Sequence, residues 1–194
     1  ITITVKPSKV VGVKSTSNSY KSNKIKWSST LKSHGYEIYR ASSKTGSYTK
    51  IKTITSPTTL NYIDTGLTTG KTYYYKVRAY VTVDNKKIYG EFSNIVSSSP
   101  KLTSPTVTLS SKNRKAYIKW SKISGASGYK IYRSTSKSGT YSKVKTVTSG
   151  STTSYTNSNL TKNKVYYYKV RAYRTVSGKN VYSDYSSVKY IKVK

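Results

Sequence analysis

Few residues of this chain are of the types that carry out acid–base or metal chemistry. Its 194 residues include five carboxylates and one histidine. A glycosidase needs two carboxylates on either side of the bond it cleaves, and calcium needs several carboxylate oxygens close together. The acidic residues are Glu37, Asp64, Asp84, Glu91 and Asp184. Because only the last lies in the second half of the chain, we interpret all five as surface or turn residues that reduce the positive charge.

Histidine and cysteine chemistry is equally limited. His34 is the single histidine, and cysteine is absent. A zinc site needs several such ligands together, and a nucleophile activated by histidine needs an orienting acid. No glycine-rich phosphate-binding loop is present either. The sequence therefore predicts a protein that is not an enzyme, with no metal site and no cofactor.

A different set of residues alternates aromatic rings with cations. The string YYYKVRAY occurs at Tyr73–Tyr80 and again at Tyr166–Tyr173. Since successive side chains of a strand point to opposite faces, one face of each string should carry tyrosine, lysine and arginine outward. With one tyrosine added from a neighbouring strand, the predicted outward set is Tyr39, Tyr74, Lys76, Arg78, Tyr80, Tyr132, Tyr167, Lys169, Arg171 and Tyr173.

Two interpretations of this outward face stay open. Rings interleaved with cations stack on sugars or bases and neutralise phosphates, which indicates a site for a polyanion or a glycan. The same residues also form cross-strand ladders, in which alkyl stems and cations lie over rings and stabilise the sheet. We favour the ladder, because the outer sides of strands commonly have this composition.

The two strings belong to two copies of one sequence. The copies match at a constant offset of 93 residues, from Trp27 and Trp120 to Tyr89 and Tyr182. A unit of this length is a complete domain with its own core, so we predict two domains, 1–99 and 100–194.

Short runs of β-forming residues between turn residues predict seven strands in each domain and no helix. In the first domain they are Lys9–Lys14, Lys24–Ser28, Tyr36–Ala41, Tyr48–Thr53, Asn61–Asp64, Thr72–Val83 and Lys87–Val96. In the second they are Thr106–Ser110, Ala116–Ser121, Tyr129–Ser134, Tyr141–Val147, Ser154–Thr156, Val165–Val176 and Val181–Val193. The predicted core residues are Trp27, Tyr36, Tyr73, Trp120, Tyr129 and Tyr166. The predicted fold class is all-β, with two tandem immunoglobulin-like sandwiches.

The chain is also strongly basic. Lysine and arginine number 36 against five acidic residues, a formal charge of +31. Such an excess attracts polyanions. No helix or ribbon suited to a nucleic-acid groove is evident, and no apolar run is long enough to span a membrane. We therefore expect a monomer that associates with an anionic polymer, with no specific nucleic acid and no membrane span.

The residues around the repeated string resemble a known family. The pattern LxxGxxYxYxVxA that begins at Leu67 resembles the tyrosine-corner strand of fibronectin type III domains. A tryptophan in the second strand, followed by GYEIYR at Gly35–Arg40, resembles the same family. The second copy has Asn163 where Gly70 stands, and asparagine also adopts left-handed backbone angles. The resemblance covers nearly the whole chain and implies two tandem sandwiches of the fibronectin type III kind.

The string YRxSxxxGxYxKxKTxxS is similar to fibronectin III-like modules in surface and secreted proteins of Gram-positive bacteria, clostridia among them. The family has no fixed catalytic residues, and its modules accompany catalytic, adhesive or wall-binding domains. The resemblance implies an extracellular or cell-surface spacer and attachment module. Its implied partners are an anionic cell-wall polymer or polysaccharide and other domains of the same full-length protein. The alternative is a carbohydrate-binding or adhesin module that uses the tyrosine-rich face. An intramolecular Lys–Asn isopeptide bond, as in other adhesin folds of Gram-positive bacteria, stays open; it needs a nearby acid, which the second copy could supply only through Asp184. The start at Ile1 indicates a fragment or mature product.

Overall fold

The computed structural model describes residues 6–194, which fold into two compact all-β units. The first unit ends at Pro100 and the second is Lys101–Lys194. Residues 1–5 of the first predicted domain lie outside the described residues. Each unit is a sandwich of a three-stranded and a five-stranded antiparallel sheet. The predicted all-β fold class is confirmed, and we refer to the units as domain 1 and domain 2.

The strands of the two domains correspond one to one. Domain 1 contains β1 (Lys14–Ser19), β2 (Ser22–Lys26), β3 (Gly35–Ala41), β4 (Thr49–Ile54), β5 (Asn61–Asp64), β6 (Tyr73–Val83), β7 (Lys86–Tyr89) and β8 (Val96–Ser98). Domain 2 contains β9 (Val107–Lys112), β10 (Lys115–Trp120), β11 (Gly128–Ser134), β12 (Ser142–Val147), β13 (Ser154–Asn157), β14 (Val165–Val176), β15 (Lys179–Tyr182) and β16 (Lys189–Lys192).

In domain 1 the smaller sheet has the order β1-β2-β5, and the larger has β4-β3-β6 with both β7 and β8 beside β6. Domain 2 repeats this order with its own eight strands.

The first predicted strand, Lys9–Lys14, is wrong. The chain is irregular there, and the strand begins only at Lys14. The apolar run from Val10 to Val13 resembles a strand in composition, but Gly12 within it has a φ of 67°, in the left-handed region that a strand does not allow. Val10 is nonetheless buried. The apolar composition of this segment therefore reflects packing on the core and not membership of a sheet.

The last predicted strand of each domain is interrupted. In domain 1 the segment between β7 and β8 contains Ser93, whose hydroxyl accepts a hydrogen bond from the backbone N–H of Val77 at 3.0 Å. In domain 2 Ser186 does the same for Val170 at 3.0 Å. A side-chain oxygen thus takes the place of a backbone carbonyl, and the ladder breaks. The described residues consequently form eight strands per domain, where the sequence predicted seven.

Each core lies between the two sheets and is built around tryptophan and tyrosine. Trp27 packs on Tyr36 with ring centroids 5.4 Å apart, and Trp120 packs on Tyr129 at 5.3 Å. All four side chains are at least 95% buried. The hydroxyl of Tyr129 accepts the backbone N–H of Ile123 at 2.9 Å, so the buried phenol keeps a polar partner.

A tyrosine corner closes each domain before its longest strand. The backbone N–H of Thr68 donates to the hydroxyl of Tyr73 at 3.1 Å, and that of Thr161 donates to Tyr166 at 3.2 Å. Both rings are buried. The turn before each ring holds a left-handed residue, with φ of 79° at Gly70. Its counterpart in domain 2 is an asparagine with φ of 64°, one of the few side chains that tolerate this conformation.

The expected exposure of Tyr80 and Tyr173 is wrong. Tyr80 is 97% buried, because it lies across Gly35 of the neighbouring strand and donates its hydroxyl hydrogen bond to the carbonyl of Ile54 at 3.3 Å. Tyr173 lies in the same way across Gly128. The glycine leaves the space that the ring fills. Both tyrosines are therefore structural residues at the edge of the outward face.

We predict that Gly35→Ala lowers the unfolding free energy of domain 1 by about 1–3 kcal/mol, because a methyl group there would collide with the carbonyl of Ile54 and the ring of Tyr80. In a urea titration of the full chain followed by NMR, the indole signals of Trp27 and Trp120 report the two domains separately. Only the Trp27 midpoint should fall. Gly46→Ala is the control, since its added methyl would meet mainly the rotatable Ser43 hydroxyl. Equal effects of the two substitutions would contradict the packing argument.

Candidate functional site

The outer face of the five-stranded sheet of domain 1 carries cations between aromatic rings. The alternation of β6 turns Lys76 and Arg78 away from the core. The guanidinium carbon of Arg78 lies 3.6 Å from the ring centroid of Tyr89, and Lys76 Nζ lies 4.0 Å from that of Phe92. Tyr39 packs edge-on against Phe92 at 5.0 Å. We call this surface, and its counterpart in domain 2, the cation–aromatic face.

A buried carboxylate lies at the centre of this face in domain 1. Glu37 is fully buried. Its Oε2 accepts hydrogen bonds from Arg78 Nε at 3.1 Å, Arg78 Nη2 at 2.8 Å and the Tyr39 hydroxyl at 2.9 Å. Its Oε1 accepts from Lys50 Nζ at 3.1 Å and from the Tyr89 hydroxyl at 3.4 Å. Lys87 Nζ also lies 3.7 Å from Oε1, so one carboxylate engages three cations and two phenols.

The earlier interpretation of Glu37 as a surface or turn residue is wrong. Burial alone would raise the pKa of Glu37, but hydrogen bonds from Arg78, Lys50 and Tyr39 outweigh it and lower the pKa from 4.5 to about 2. The carboxylate therefore stays ionised at neutral pH. Glu37 lies in the middle of β3, directly opposite Arg78 of β6. This position would have predicted the ion pair, but it can be recognised only when the strand register is known.

The prediction that Asp64 is a surface or turn residue is also wrong. Asp64 is 97% buried and receives two hydrogen bonds from Arg40 Nη1, at 3.0 and 3.1 Å, and one from the Tyr75 hydroxyl at 2.9 Å. Asn157 takes its place in domain 2 and accepts from Arg133 at 3.0 Å. The position therefore needs an acceptor for an arginine and a buried phenol, and does not need a negative charge.

The cation–aromatic face of domain 2 lacks the central carboxylate. Lys130 stands where Glu37 stands in domain 1, and its Nζ donates to the Tyr182 hydroxyl at 2.5 Å. Arg171 still stacks on Tyr182 at 4.0 Å and donates from Nη2 to the Tyr132 hydroxyl at 2.9 Å. Its buried Nε has no hydrogen-bond acceptor. The aromatic frame is retained while the anion at its centre is replaced by a cation.

The structure brings together most of the residues predicted to point outward. Lys169 lies 4.2 Å from the ring centroid of Tyr185 and 4.4 Å from that of Tyr141. Tyr167 pairs with Tyr190 at 5.7 Å, toward the end of the face. Tyr74 occupies the corresponding position on β6 of domain 1, opposite Ser97. The contacts of Tyr39, Lys76, Arg78, Tyr132 and Arg171 are given above. Tyr80 and Tyr173 lie buried at the edge of the face, beside Tyr89 and Tyr182.

Sequence reasoning missed the second half of the face. Phe92 and Tyr185 come from the segment after the hairpin, where no alternation marks them. Tyr190 is 69% exposed on β16, a strand that the sequence did not separate from β15. The offset of 93 residues could have identified Phe92 and Tyr185, because it pairs two aromatic residues at equivalent positions. It gives Tyr190 no aromatic counterpart, because position 97 is a serine.

The face offers little for acid–base or metal chemistry. Each of the two buried carboxylates already accepts hydrogen bonds from an arginine. Asp84, Glu91 and Asp184 are exposed. Within residues 6–194, no three histidine or carboxylate side chains gather in a group that could hold a metal. The same residues include no helix long and apolar enough to cross a membrane.

Comparison with known sequences finds relatives among enzymes. No family model matches the chain. It is 43% identical over 74 residues to an amylopullulanase of Thermoanaerobacter thermohydrosulfuricus, covering 38% of this chain and 5% of that protein. It is 30% identical over 156 residues to exoglucanase B of Cellulomonas fimi, covering 74% of this chain and 13% of that protein. The chain thus spans a small part of the length of the curated relatives it matches.

Comparison with solved structures identifies the fold. A two-domain fibronectin type III segment of chicken tenascin matches with a TM-score of 0.57 and 17% sequence identity. The match covers 95% of this chain and 99% of that segment. With its paired sheets and tyrosine corners, the chain has the fold of two tandem fibronectin type III domains.

Acid should destabilise domain 1 more than domain 2. Because the folded-state pKa of Glu37, about 2, lies below its usual value of 4.5, its stabilisation is present above pH 4.5 and is lost as pH falls toward 2. The loss is at most about 3 kcal/mol. In urea titrations at descending pH, the urea midpoint reported by the Trp27 signal should fall faster than that reported by the Trp120 signal. Glu37→Gln should make the Trp27 midpoint less dependent on pH. Parallel decline of the Trp27 and Trp120 midpoints would contradict the role of Glu37.

Proposed function

We propose that this chain is a non-catalytic spacer and attachment module of an exported bacterial protein, and that it associates electrostatically with anionic polymers of the cell envelope. The curated relatives are named as polysaccharide-degrading enzymes, and the chain matches only 5% and 13% of their lengths. This supports an accessory part of a longer extracellular protein. The commitment of Glu37 and Asp64 to structural ion pairs supports a role without catalysis.

The observation that carries the proposal is the distribution of charge. The chain contains 36 lysines and arginines and only five acidic residues. Two of those five, Glu37 and Asp64, are buried and form ion pairs with arginines of the same domain. From residue 101 onward there are 20 basic side chains and one acidic one, Asp184. Most of these lysines are exposed, on strands and turns alike. A polyanion that lies along such a surface releases its counterions, and this release drives binding with little sequence or sugar specificity.

We predict that the chain binds isolated Gram-positive cell walls, and that the logarithm of its affinity falls linearly with the logarithm of salt concentration. Walls stripped of teichoic acid should retain much less of the chain. A variant with Lys112, Lys162 and Lys179 changed to glutamine should show a shallower salt slope, since all three side chains are exposed. Sedimentation with the walls measures each affinity. Absence of wall binding at low salt, or a slope that the variant leaves unchanged, would overturn the proposal.

A second candidate is a carbohydrate-binding module, and one observation favours it. Tyr190 is 69% exposed and lies beside Tyr167, with ring centroids 5.7 Å apart and planes at 39°. Cations lie over the rings of Tyr39, Phe92, Tyr132 and Tyr185, whereas Tyr190 presents open aromatic surface to solvent. Exposed rings of this kind provide stacking surface for sugars.

This candidate predicts saturable binding to a defined glycan at about 0.5 M salt, where charge attraction is screened within a few ångströms. The double change of Tyr167→Ala and Tyr190→Ala should abolish that binding. Tyr74→Ala is the matched control, because it removes the equivalent ring of domain 1, which has Ser97 opposite it. Pull-down on insoluble amylopectin and cellulose provides the measurement. Binding that survives loss of both rings would eliminate the tyrosine pair as the site.

A further inference from the structure

Domain 1 shows what its cation–aromatic face is built to hold. The Glu37 carboxylate lies where an arginine, two lysines and two phenols converge, at distances from 2.8 Å for Arg78 to 3.7 Å for Lys87. Arg78 uses both Nε and Nη2, and both bonds go to the same carboxylate oxygen. The other oxygen accepts from Lys50 Nζ. This arrangement is a carboxylate site that the chain fills with its own side chain.

Domain 2 keeps four of these five donors and has Asn180 in place of Lys87. The residues equivalent to Tyr39, Lys50, Arg78 and Tyr89 are Tyr132, Lys143, Arg171 and Tyr182. The strand register is the same, since Tyr132 lies opposite Lys143 as Tyr39 lies opposite Lys50. The guanidinium stack is the same as well, with Arg171 4.0 Å from the centroid of Tyr182.

The replacement of the carboxylate leaves domain 2 with unbalanced charge. Lys130 of β11 lies directly opposite Arg171 of β14, and like charges in this cross-strand position are destabilising. In domain 1 the Nε–H of Arg78 donates to Glu37. The equivalent Nε–H of Arg171 has no acceptor. A hydrogen bond from Lys130 and the charges of Lys130 and Arg171 lower the pKa of Tyr182, in keeping with an excess of positive charge at this point.

We propose that the cation–aromatic face of domain 2 binds a carboxylate carried by a sugar, as in a uronic acid unit of an anionic polysaccharide. Arg171 donates to this carboxylate from Nε, as Arg78 does to Glu37. Lys130 turns from Tyr182 to the incoming anion and takes the part of Lys87, the one cation of the set that domain 2 lacks. The site rests on the proposed function and deepens it, because it gives a diffusely attracted polymer one point of specific contact.

A carboxylate fits better than a phosphate, because the donors of domain 1 are divided between the two oxygens of a single carboxylate, with Lys50 on Oε1 and Arg78 on Oε2. A sugar fits as its carrier, because Tyr185 is 38% exposed beside the site, with its ring centroid 4.8 Å from the Arg171 guanidinium. Its open surface lies where the body of a uronic acid would extend away from the bound carboxylate. In domain 1 the same place is taken by the less exposed Phe92.

The test is titration of the full chain with tetragalacturonate, followed through the arginine Nε–H signals by NMR. The Arg171 signal should shift and saturate, while the Arg78 signal should stay unchanged. Lys130→Glu should weaken binding at least about tenfold, because it supplies domain 2 with its own carboxylate. Lys162→Glu is the matched control, since it makes the same charge change at an exposed turn outside the face. Arg171→Lys keeps the charge, removes the Nε donor and should also weaken binding.

The remaining outcomes separate the site from general attraction. Equal losses with Lys130→Glu and Lys162→Glu, or no saturable shift at Arg171, would overturn the site while leaving electrostatic wall binding intact. Equal affinity for the tetrasaccharide with its carboxylates reduced to alcohols, or for tripolyphosphate, would overturn the choice of a carboxylate. Tetragalacturonate binding at Arg171 by a chain that does not bind cell walls would support the site and refute the proposed attachment function. The Trp120 signal confirms that each variant stays folded.

Discussion

The stacking of a guanidinium on aromatic rings is the interaction on which both outer faces depend. Arg78 and Arg171 each lie across a tyrosine of the neighbouring strand, at 3.6 and 4.0 Å from the ring centroid. This contact holds a cation against the sheet without requiring a carboxylate. A chain with a formal charge of +31 and five acidic residues can therefore build the same face twice, although only Glu37 supplies a neutralising anion. The aromatic frame sets the geometry, and the residue at the centre sets the charge.

The repeat and the fold were readable from the sequence because they depend on local patterns. The alternation in the longest strand and the tyrosine-corner residues predicted the sandwich, and Asn163 has the left-handed conformation expected from Gly70. The error at Lys9–Lys14 arose because apolar composition was preferred to the repeat. The offset of 93 residues from Val107–Lys112 gives Lys14–Ser19, which is the observed strand.

The centre of the site was not readable, because it depends on which residues face each other across strands. Glu37 appeared to be a surface acid until the register placed it opposite Arg78. Tyr80 follows the outward alternation of its strand, yet it is buried because the opposite residue is Gly35. A single strand shows which face a side chain takes but not what covers it. The presence of Lys130 at the position of Glu37 can be interpreted only when the contacts of both residues are known.

The most direct measurement compares the chemical shifts of the Nε protons of Arg78 and Arg171 in the free chain by NMR. The face of domain 1 is closed by Glu37, and that of domain 2 lacks an anion. We predict a downfield signal for Arg78, whose Nε donates to that carboxylate, and an upfield signal for Arg171, which stacks on a tyrosine in the same way but has no acceptor. Equal downfield shifts of the two protons would mean that domain 2 already satisfies its arginine, and would contradict this difference between the two faces.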